Sequence, residues 1–344
     1  MNQTATAPHP RSNPFVHQTN NSINKFAYLL SACNNFNMIL NAIILLTASL
    51  ALIKTVDILV KSSAKIARHI KVSEYTISFL IIAVATSLPE LMVGITSAIQ
   101  KNPILSYGTT IGSNIALMTI VLAIPVLMTG AMSTRTILNT KDVYYSIIFS
   151  ALPLVLLLDK TLSRIDGLIL LSSYISYFYI VFKKNLTLES VRKSLSRSEF
   201  WKQMGIFLIS LVLVLVSGEL IVKSASDLSI KLGWSLSFIG LTIVAIGTSL
   251  PEIAFAVSAV YGRHEQEVMG NAVGSLVANS SLVLGVTALI YPITNTKIFP
   301  TVFLILTMLI FLKFIRTKEK VDKLEAIILL LVYGIFVALE FYLQ

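Results

Sequence analysis

Charged residues, cysteine and histidine are all scarce in this 344-residue chain. Charged residues make up 13%, about half the quarter that is typical of soluble globular proteins, which points to lipid as the solvent. The single cysteine, Cys33, excludes a disulfide framework and a cysteine-ligated zinc site. The four histidines, at 9, 17, 69 and 264, fall in the N-terminal tail or in predicted loops, which argues against an intramembrane metalloprotease.

Apolar residues are abundant instead, at 55%, and the mean hydropathy is +0.80. Several apolar segments reach about 20 residues, the length that a helix needs to cross a bilayer. The net charge is +10, but the basic residues lie in short loops between these segments. Because no basic domain interleaved with aromatic residues is present, we expect the lipid bilayer and not nucleic acid as the partner.

The apolar segments predict an all-α polytopic membrane protein with ten transmembrane helices. The predicted spans are 37–64, 74–99, 104–129, 141–158, 165–182, 203–230, 235–260, 267–291, 298–315 and 324–343. Residues 1–36 are polar and predict a disordered leader and not a cleaved signal peptide. One integral membrane domain follows: a five-helix repeat at 37–183, a cytoplasmic linker at 184–202 and a second five-helix repeat at 203–344.

The chain repeats itself with a constant offset, which carries Glu90 onto Glu252 and Ser113 onto Ser275. Residues 78–117 align with 240–279 without a gap, and eleven of the forty positions are identical. They include the whole of Thr86-Ser-Leu-Pro-Glu90, which recurs as Thr248-Ser-Leu-Pro-Glu252. Because each repeat has five predicted spans, an odd number, the two copies cross the membrane in opposite directions. Such inverted repeats are typical of secondary transporters, whose site lies near the midplane between the halves.

The basic residues predict the orientation. Of the 27 Lys and Arg residues, 17 fall in the loops on one side of the predicted topology. The positive-inside rule places those loops in the cytoplasm and both termini outside, so we expect a multi-pass protein of the cell membrane.

Glu90 and Glu252 fall near the middle of the second and seventh spans, with no lysine or arginine nearby. A charged side chain there costs about 2.5–3.5 kcal/mol on insertion scales, so it persists when it is paired, protonated or bound to a cation. Two glutamates at the repeat interface offer the oxygen ligands that Ca²⁺ prefers. Pro89 and Pro251 predict helix kinks that free carbonyl oxygens at this depth.

Further oxygens are predicted around the two glutamates. Hydroxyl groups come from Thr86, Ser87, Thr248 and Ser249, and from Ser113 and Ser275, which follow their glutamates at the same spacing. The sequences Gly108-x-x-x-Gly112 and Gly270-x-x-x-Gly274 predict close helix approach that brings these serines to the site.

A second aligned pair is Asp57-Ile-Leu-Val-Lys-Ser62 with Glu219-Leu-Ile-Val-Lys-Ser224. In each, the acid and the lysine stand one helical turn apart, which favours a salt bridge on the helix surface. A role in the ion path is the alternative.

These motifs resemble the sodium/calcium exchanger family of the cation/Ca²⁺ exchanger superfamily, in its prokaryotic form without a large cytoplasmic regulatory loop. The resemblance rests on Ala83-Val-Ala-Thr-Ser-Leu-Pro-Glu90 with Gly112-Ser-Asn114, and on Ala245-Ile-Gly-Thr-Ser-Leu-Pro-Glu252 with Gly270-Asn-Ala-Val-Gly-Ser275. It covers about residues 37–344. It implies a secondary-active antiporter that exchanges Na⁺ for Ca²⁺ by alternating access, with no cofactor and no enzymatic activity.

The resemblance also extends the ligand set. It implies that backbone oxygens of Ala83 and Ala245 bind Na⁺, and that Asn279, shortly after Ser275, is a ligand. The equivalent first-repeat residue, Leu117, cannot coordinate a cation, and Thr109 replaces a usual Asn. The first repeat is therefore the degenerate one.

Two alternatives stay open. In Ca²⁺/H⁺ exchange, protons on the two nearby carboxylates would replace Na⁺. The glycine at position 274 argues against it, because the proton-coupled branch of the superfamily usually has an acidic residue there. The other alternative is exchange of a different cation, such as K⁺, Mg²⁺ or Mn²⁺.

Overall fold

The computed structural model describes residues 83–134, 142–185, 196–262, 265–316 and 320–343, together with part of 39–66. Seven of the described helices are long and apolar enough to cross a membrane: Pro103–Thr129, Arg164–Val181, Arg197–Ser217, Leu236–Tyr261, Glu267–Ile290, Ile298–Arg316 and Lys323–Tyr342. The predicted leader and parts of the first two predicted spans lie outside the described residues. A mainly helical membrane architecture is thus confirmed, and the count of ten helices in two repeats stays a prediction.

In the first repeat, short helices alternate with connecting turns. The helices are α1 (Ala83–Thr86), α2 (Leu88–Ile99), α3 (Pro103–Met118), α4 (Ile120–Thr129), α5 (Asp142–Leu156) and α6 (Arg164–Asn185). Strand β1 (Ala131–Ser133) follows α4, and a 3₁₀ turn, Leu157–Asp159, follows α5.

The second repeat is similar. Its helices are α7 (Arg197–Leu232), α8 (Leu236–Ile239), α9 (Ala245–Thr248), α10 (Leu250–Tyr261), α11 (Glu265–Val277), α12 (Leu284–Ile290), α13 (Ile298–Arg316) and α14 (Lys323–Tyr342), with strand β2 (Lys320–Asp322) before α14. The π-helical segments Gly240–Val244 and Ala278–Val283 join α8 to α9 and α11 to α12. Helices α6 and α7 extend into the two ends of the predicted linker.

Both repeats interrupt a membrane helix at the same place. Ser87 lies between α1 and α2 with φ −81° and ψ 0°, and Ser249 lies between α9 and α10 with φ −84° and ψ 0°. In each case a proline is the second residue of the helix that follows. Because proline has no N–H to donate to the carbonyl of the preceding turn, the helix breaks as the two prolines predict.

The two repeats interlock at these breaks. Helix α3 packs along α8, the π segment after it and α9, and α11 packs against α1. The approach requires glycine: a Cβ on Gly108 would lie 2.9 Å from the carbonyl oxygen of Ser237, and one on Gly112 would overlap the carbonyl oxygen of Leu241. The predicted close approach is therefore confirmed for the first repeat.

Short strand pairings support the same duplication. Strands β1 and β2 pair antiparallel, with Ala131 opposite Asp322. A second, isolated pairing joins Leu162 to Ile293. The offset between the repeats carries Ala131 onto Ile293, and Leu162 onto Leu324, which lies just beyond Asp322. The same connection thus ties the chain together at corresponding places in each repeat.

Candidate cation site

The two helix breaks and the two interlocked helices place every predicted ligand in the interior. All eleven are at most 2% exposed: Ala83, Thr86, Ser87, Glu90, Ser113, Ala245, Thr248, Ser249, Glu252, Ser275 and Asn279. Their burial in a membrane protein means that their polar atoms must find partners in the protein or in a bound ion.

The serines on α3 and α11 contact the opposite repeat. The hydroxyl oxygen of Ser113 lies 3.2 Å from that of Thr248 and 3.4 Å from the carbonyl oxygen of Ala245. The hydroxyl of Ser275 lies 3.2 Å from that of Thr86, and donates to the carbonyl oxygen of Ala83 at 3.4 Å. The structure thus brings six of the predicted ligands together in two matching groups.

These contacts are reciprocal. Ser113 of the first repeat contacts Thr248 and Ala245 of the second. The equivalent serine of the second repeat, Ser275, contacts the equivalent residues of the first, Thr86 and Ala83. Reciprocity of this kind is the mark of a two-fold relationship, in which each side presents the same surface to the other. The reciprocal contacts around the site are therefore those that a two-fold relation between the two repeated segments would produce.

The two carboxylates lie within this arrangement and interact electrostatically with each other. Oε1 of Glu90 accepts a hydrogen bond from Ser113 at 3.1 Å. The other oxygen of Glu90 and both oxygens of Glu252 accept no hydrogen bond, and neither residue forms an ion pair in the described part of the chain. Two buried like charges without a counter-charge are unfavourable, and a cation between them removes that cost.

Neutral oxygens complete the set. The hydroxyl groups of Ser87 and Ser249 and the side-chain amide of Asn279 form no hydrogen bond within the described residues. Together with the free carboxylate oxygens they supply hard oxygen ligands, the type that binds Ca²⁺ and other hard cations.

Sequence reasoning missed two polar residues at this interface. The side-chain oxygen of Asn271 accepts a hydrogen bond from Thr86 at 3.3 Å, whereas Thr109, its repeat partner, bonds to Leu105 of its own helix. Nδ2 of Asn114 donates to Ser280 across the repeat boundary at 2.7 Å. Asn271 and Asn114 both stand in the quoted motifs, so the signal was present; their partners were not visible without the fold.

The repeats differ in polarity at Leu117 and Asn279. Leu117 is fully buried in the main hydrophobic core, whereas the amide of Asn279 is buried without a hydrogen-bond partner among the described residues. The predicted inequality of the two repeats is therefore visible in their surroundings.

Apolar helices long enough to span a bilayer, broken around a buried acidic site, define a polytopic membrane cation transporter. The chain belongs to the sodium/calcium exchanger protein family, whose model matches residues 40–183 and 202–342. It is therefore a membrane transporter and not an enzyme.

Individual relatives and a solved structure are similar to this chain over most of its length. The sodium/calcium exchanger MaX1 of Methanosarcina acetivorans is 26% identical, over 88% of this chain and 99% of the relative. An uncharacterized membrane protein of Methanocaldococcus jannaschii is 28% identical, over 82% and 92%. The solved structure of the sodium-calcium exchanger NCX_Mj, soaked with Na⁺ and Sr²⁺, superposes with a TM-score of 0.72 at 28% identity and covers 88% of this chain and 98% of that one.

Proposed function

We propose that this chain is a secondary-active antiporter that exchanges Na⁺ for Ca²⁺ by alternating access. The observation that carries the proposal is the pair Glu90 and Glu252, which come from different repeats and are buried with three carboxylate oxygens free of hydrogen bonds. MaX1 is named a sodium/calcium exchanger, and NCX_Mj was soaked with Na⁺ and Sr²⁺, which supports the choice of ions.

The charged ligands suit Ca²⁺ and the neutral ligands suit Na⁺. Glu90 and Glu252 supply two negative charges, which balance one Ca²⁺ and make it the preferred single occupant. Na⁺ carries less charge and accepts neutral ligands, so we assign to it the hydroxyl groups of Thr86, Ser87, Thr248, Ser249, Ser113 and Ser275, the amide of Asn279 and the carbonyl oxygens of Ala83 and Ala245.

Coupling follows from shared ligands. Ca²⁺ and Na⁺ need the same two carboxylates, so their binding is mutually exclusive. If the protein changed its access from one side of the membrane to the other with an empty site, two uncompensated charges would lie in a medium of low dielectric constant, which is costly. Only the ion-loaded forms interconvert readily, and the Na⁺ gradient then drives Ca²⁺ the opposite way.

The membrane arrangement of the proposal has two inverted five-helix repeats, ten helices in all. The protein lies in the plasma membrane with both termini outside. The reciprocal contacts of Ser113 and Ser275 support a two-fold relation between the repeats. With the predicted odd number of spans in each repeat, we infer that this axis lies in the membrane plane and the site near its middle.

Flux in proteoliposomes tests the coupling ion. We expect Ca²⁺ uptake when the vesicles are loaded with Na⁺ and diluted into Na⁺-free buffer, and none when a pH gradient alone is imposed. Glu90→Gln vesicles serve as the matched control for leak. Uptake driven by the pH gradient alone, without Na⁺, would establish proton exchange and overturn the sodium assignment.

A further inference from the structure

A cavity of about 270 Å³ lies between helices α2 and α7, next to the cation site. Its wall includes Pro89, Met92 and Thr96 of α2, and Val212, Val216 and Glu219 of α7. On both helices these positions recur with the period of a helical turn, so the cavity follows the seam along which the two helices pack.

Among the described residues of that wall, Glu219 alone carries a carboxylate. Its predicted partner is Lys223, yet no ion pair forms between them, and Glu219 has none elsewhere in the described part of the chain. Glu219 is exposed on α7, two residues beyond the part of that helix, Arg197–Ser217, that is long and apolar enough to cross a membrane. A carboxylate in that position persists when it faces water or a cation. We therefore expect water in the seam beside it.

The position of the cavity relates it to the site. Pro89 forms part of its wall, and the next residue in the chain is Glu90. Apart from Glu219 and the half-buried Thr96, the wall is apolar. Such a wall cannot hold a cation by coordination, so the negative charge of Glu219 acts on cations at a distance.

We propose that Glu219 is an access residue, which attracts cations into the cavity between α2 and α7 on their way to Glu90. The identity of these cations rests on the proposed function, whereas the negative charge of the cavity is independent of it. Glu219 is not a ligand of the buried site. It raises the local cation concentration, as negatively lined clefts do.

The strength of this attraction depends on the charge of the attracted ion. A fixed potential enriches a divalent ion by the square of the factor by which it enriches a monovalent ion. Neutralising Glu219 therefore raises the KM for Na⁺ by some factor per ion, and raises the KM for Ca²⁺ by the square of that factor. It leaves kcat unchanged because Glu90 and Glu252 are untouched. A residue that only stabilises the helix would lower the amount of active protein and leave both KM values alone.

The transport experiment compares Glu219→Gln with Glu199→Gln in proteoliposomes. Glu199 lies in the first turn of the same helix and does not line the cavity. We expect Glu219→Gln to raise the KM for Ca²⁺ by about threefold to tenfold at low ionic strength, and less at high salt. Unchanged KM values in Glu219→Gln, or an equal rise in Glu199→Gln, would overturn the proposal.

A labelling experiment tests the cavity without transport. Cys33 is the only cysteine, so Cys33→Ala with Thr96→Cys places one thiol in the cavity wall. Its rates with a positively and a negatively charged methanethiosulfonate are measured with Glu219 intact, with Glu219→Gln and with Glu199→Gln. We expect only Glu219→Gln to reduce the ratio of the cationic to the anionic rate, by about threefold or more.

The two experiments distinguish a failure of the access role of Glu219 from a failure of the proposed function. An unreactive thiol, or a rate ratio that Glu219→Gln leaves unchanged, overturns the access role whatever the protein transports. A protein that carries no Na⁺-driven Ca²⁺ flux but shows the shift in rate ratio contradicts the proposed function, and supports Glu219 as the residue that gives the cavity its charge.

Discussion

The hydroxyl of Ser113 donates a hydrogen bond to Oε1 of Glu90 over 3.1 Å. Ser275, its repeat partner, makes no such bond to Glu252, whose two oxygens accept none from the described residues. The two carboxylates are therefore unequal: one oxygen of Glu90 is hydrogen-bonded to Ser113, and neither oxygen of Glu252 has a bond of this kind within the described residues.

This inequality predicts different costs for two equivalent substitutions. Ser113→Ala removes the hydrogen bond to Oε1 of Glu90 and leaves that buried oxygen without its partner, which costs about 1–3 kcal/mol. Ser275→Ala removes contacts to Thr86 and Ala83, and Thr86 keeps its bond to Asn271. Thermal unfolding in detergent with a Ca²⁺ chelator measures both. We expect Ser113→Ala to be the less stable variant; equal stabilities would show that the bond to Glu90 contributes nothing.

Gly112 predicts a steric effect. A Cβ there would overlap the carbonyl oxygen of Leu241 and lie 2.7 Å from the Cβ of Ala245, whose carbonyl contacts Ser113. We expect Gly112→Ala to lower the free energy of unfolding by about 1–3 kcal/mol and to weaken Ca²⁺ binding, because α3 and α9 must separate.

Gly334→Ala is the matched control for that prediction. No atom lies within 4 Å of a Cβ at Gly334, within helix α14. Replacing a helical glycine by alanine stabilises by about 0.5–1 kcal/mol when the new methyl group meets nothing. If thermal unfolding showed both variants shifted in the same direction, the close packing at Gly112 would not be the cause.

Leu117 and Asn279 predict a change of ion preference. Asn279→Leu removes the neutral amide from the second repeat, and Leu117→Asn introduces one into the first. If these positions border the site, Asn279→Leu weakens the apparent Na⁺ affinity and Leu117→Asn alters the ratio of Na⁺ to Ca²⁺ affinity. Competition of Na⁺ against radioactive Ca²⁺ binding measures both, and an unaltered ratio in Leu117→Asn would place that position outside the site.

Much of this site is predictable from sequence because its residues are informative one by one. A glutamate, a proline and two hydroxyl residues are costly or disruptive inside an apolar span, so Thr86 to Glu90 and Thr248 to Glu252 stand out. The glycines at 108 and 112 likewise indicate a close approach, which the distances to Ser237 and Leu241 bear out.

Other features depend on how the helices are rotated against each other. The bonds of Asn271 to Thr86 and of Asn114 to Ser280 cross the repeat boundary, and their partners are far apart in sequence. The π-helical segments 240–244 and 278–283 each change the helical register locally, and no residue pattern marks them. The cavity wall at Glu219 is a property of packing between α2 and α7, which spacing alone does not reveal.

The central claim is that Glu90 and Glu252 bind one cation together. Calorimetric titration of the detergent-solubilised protein with Ca²⁺ in Na⁺-free buffer tests it most directly, for the wild type, Glu90→Gln and Glu252→Gln. We expect the wild type to bind Ca²⁺ and each variant to bind roughly a hundredfold more weakly or not at all, because either change removes a buried negative ligand. Binding of undiminished affinity in either variant would contradict a shared site.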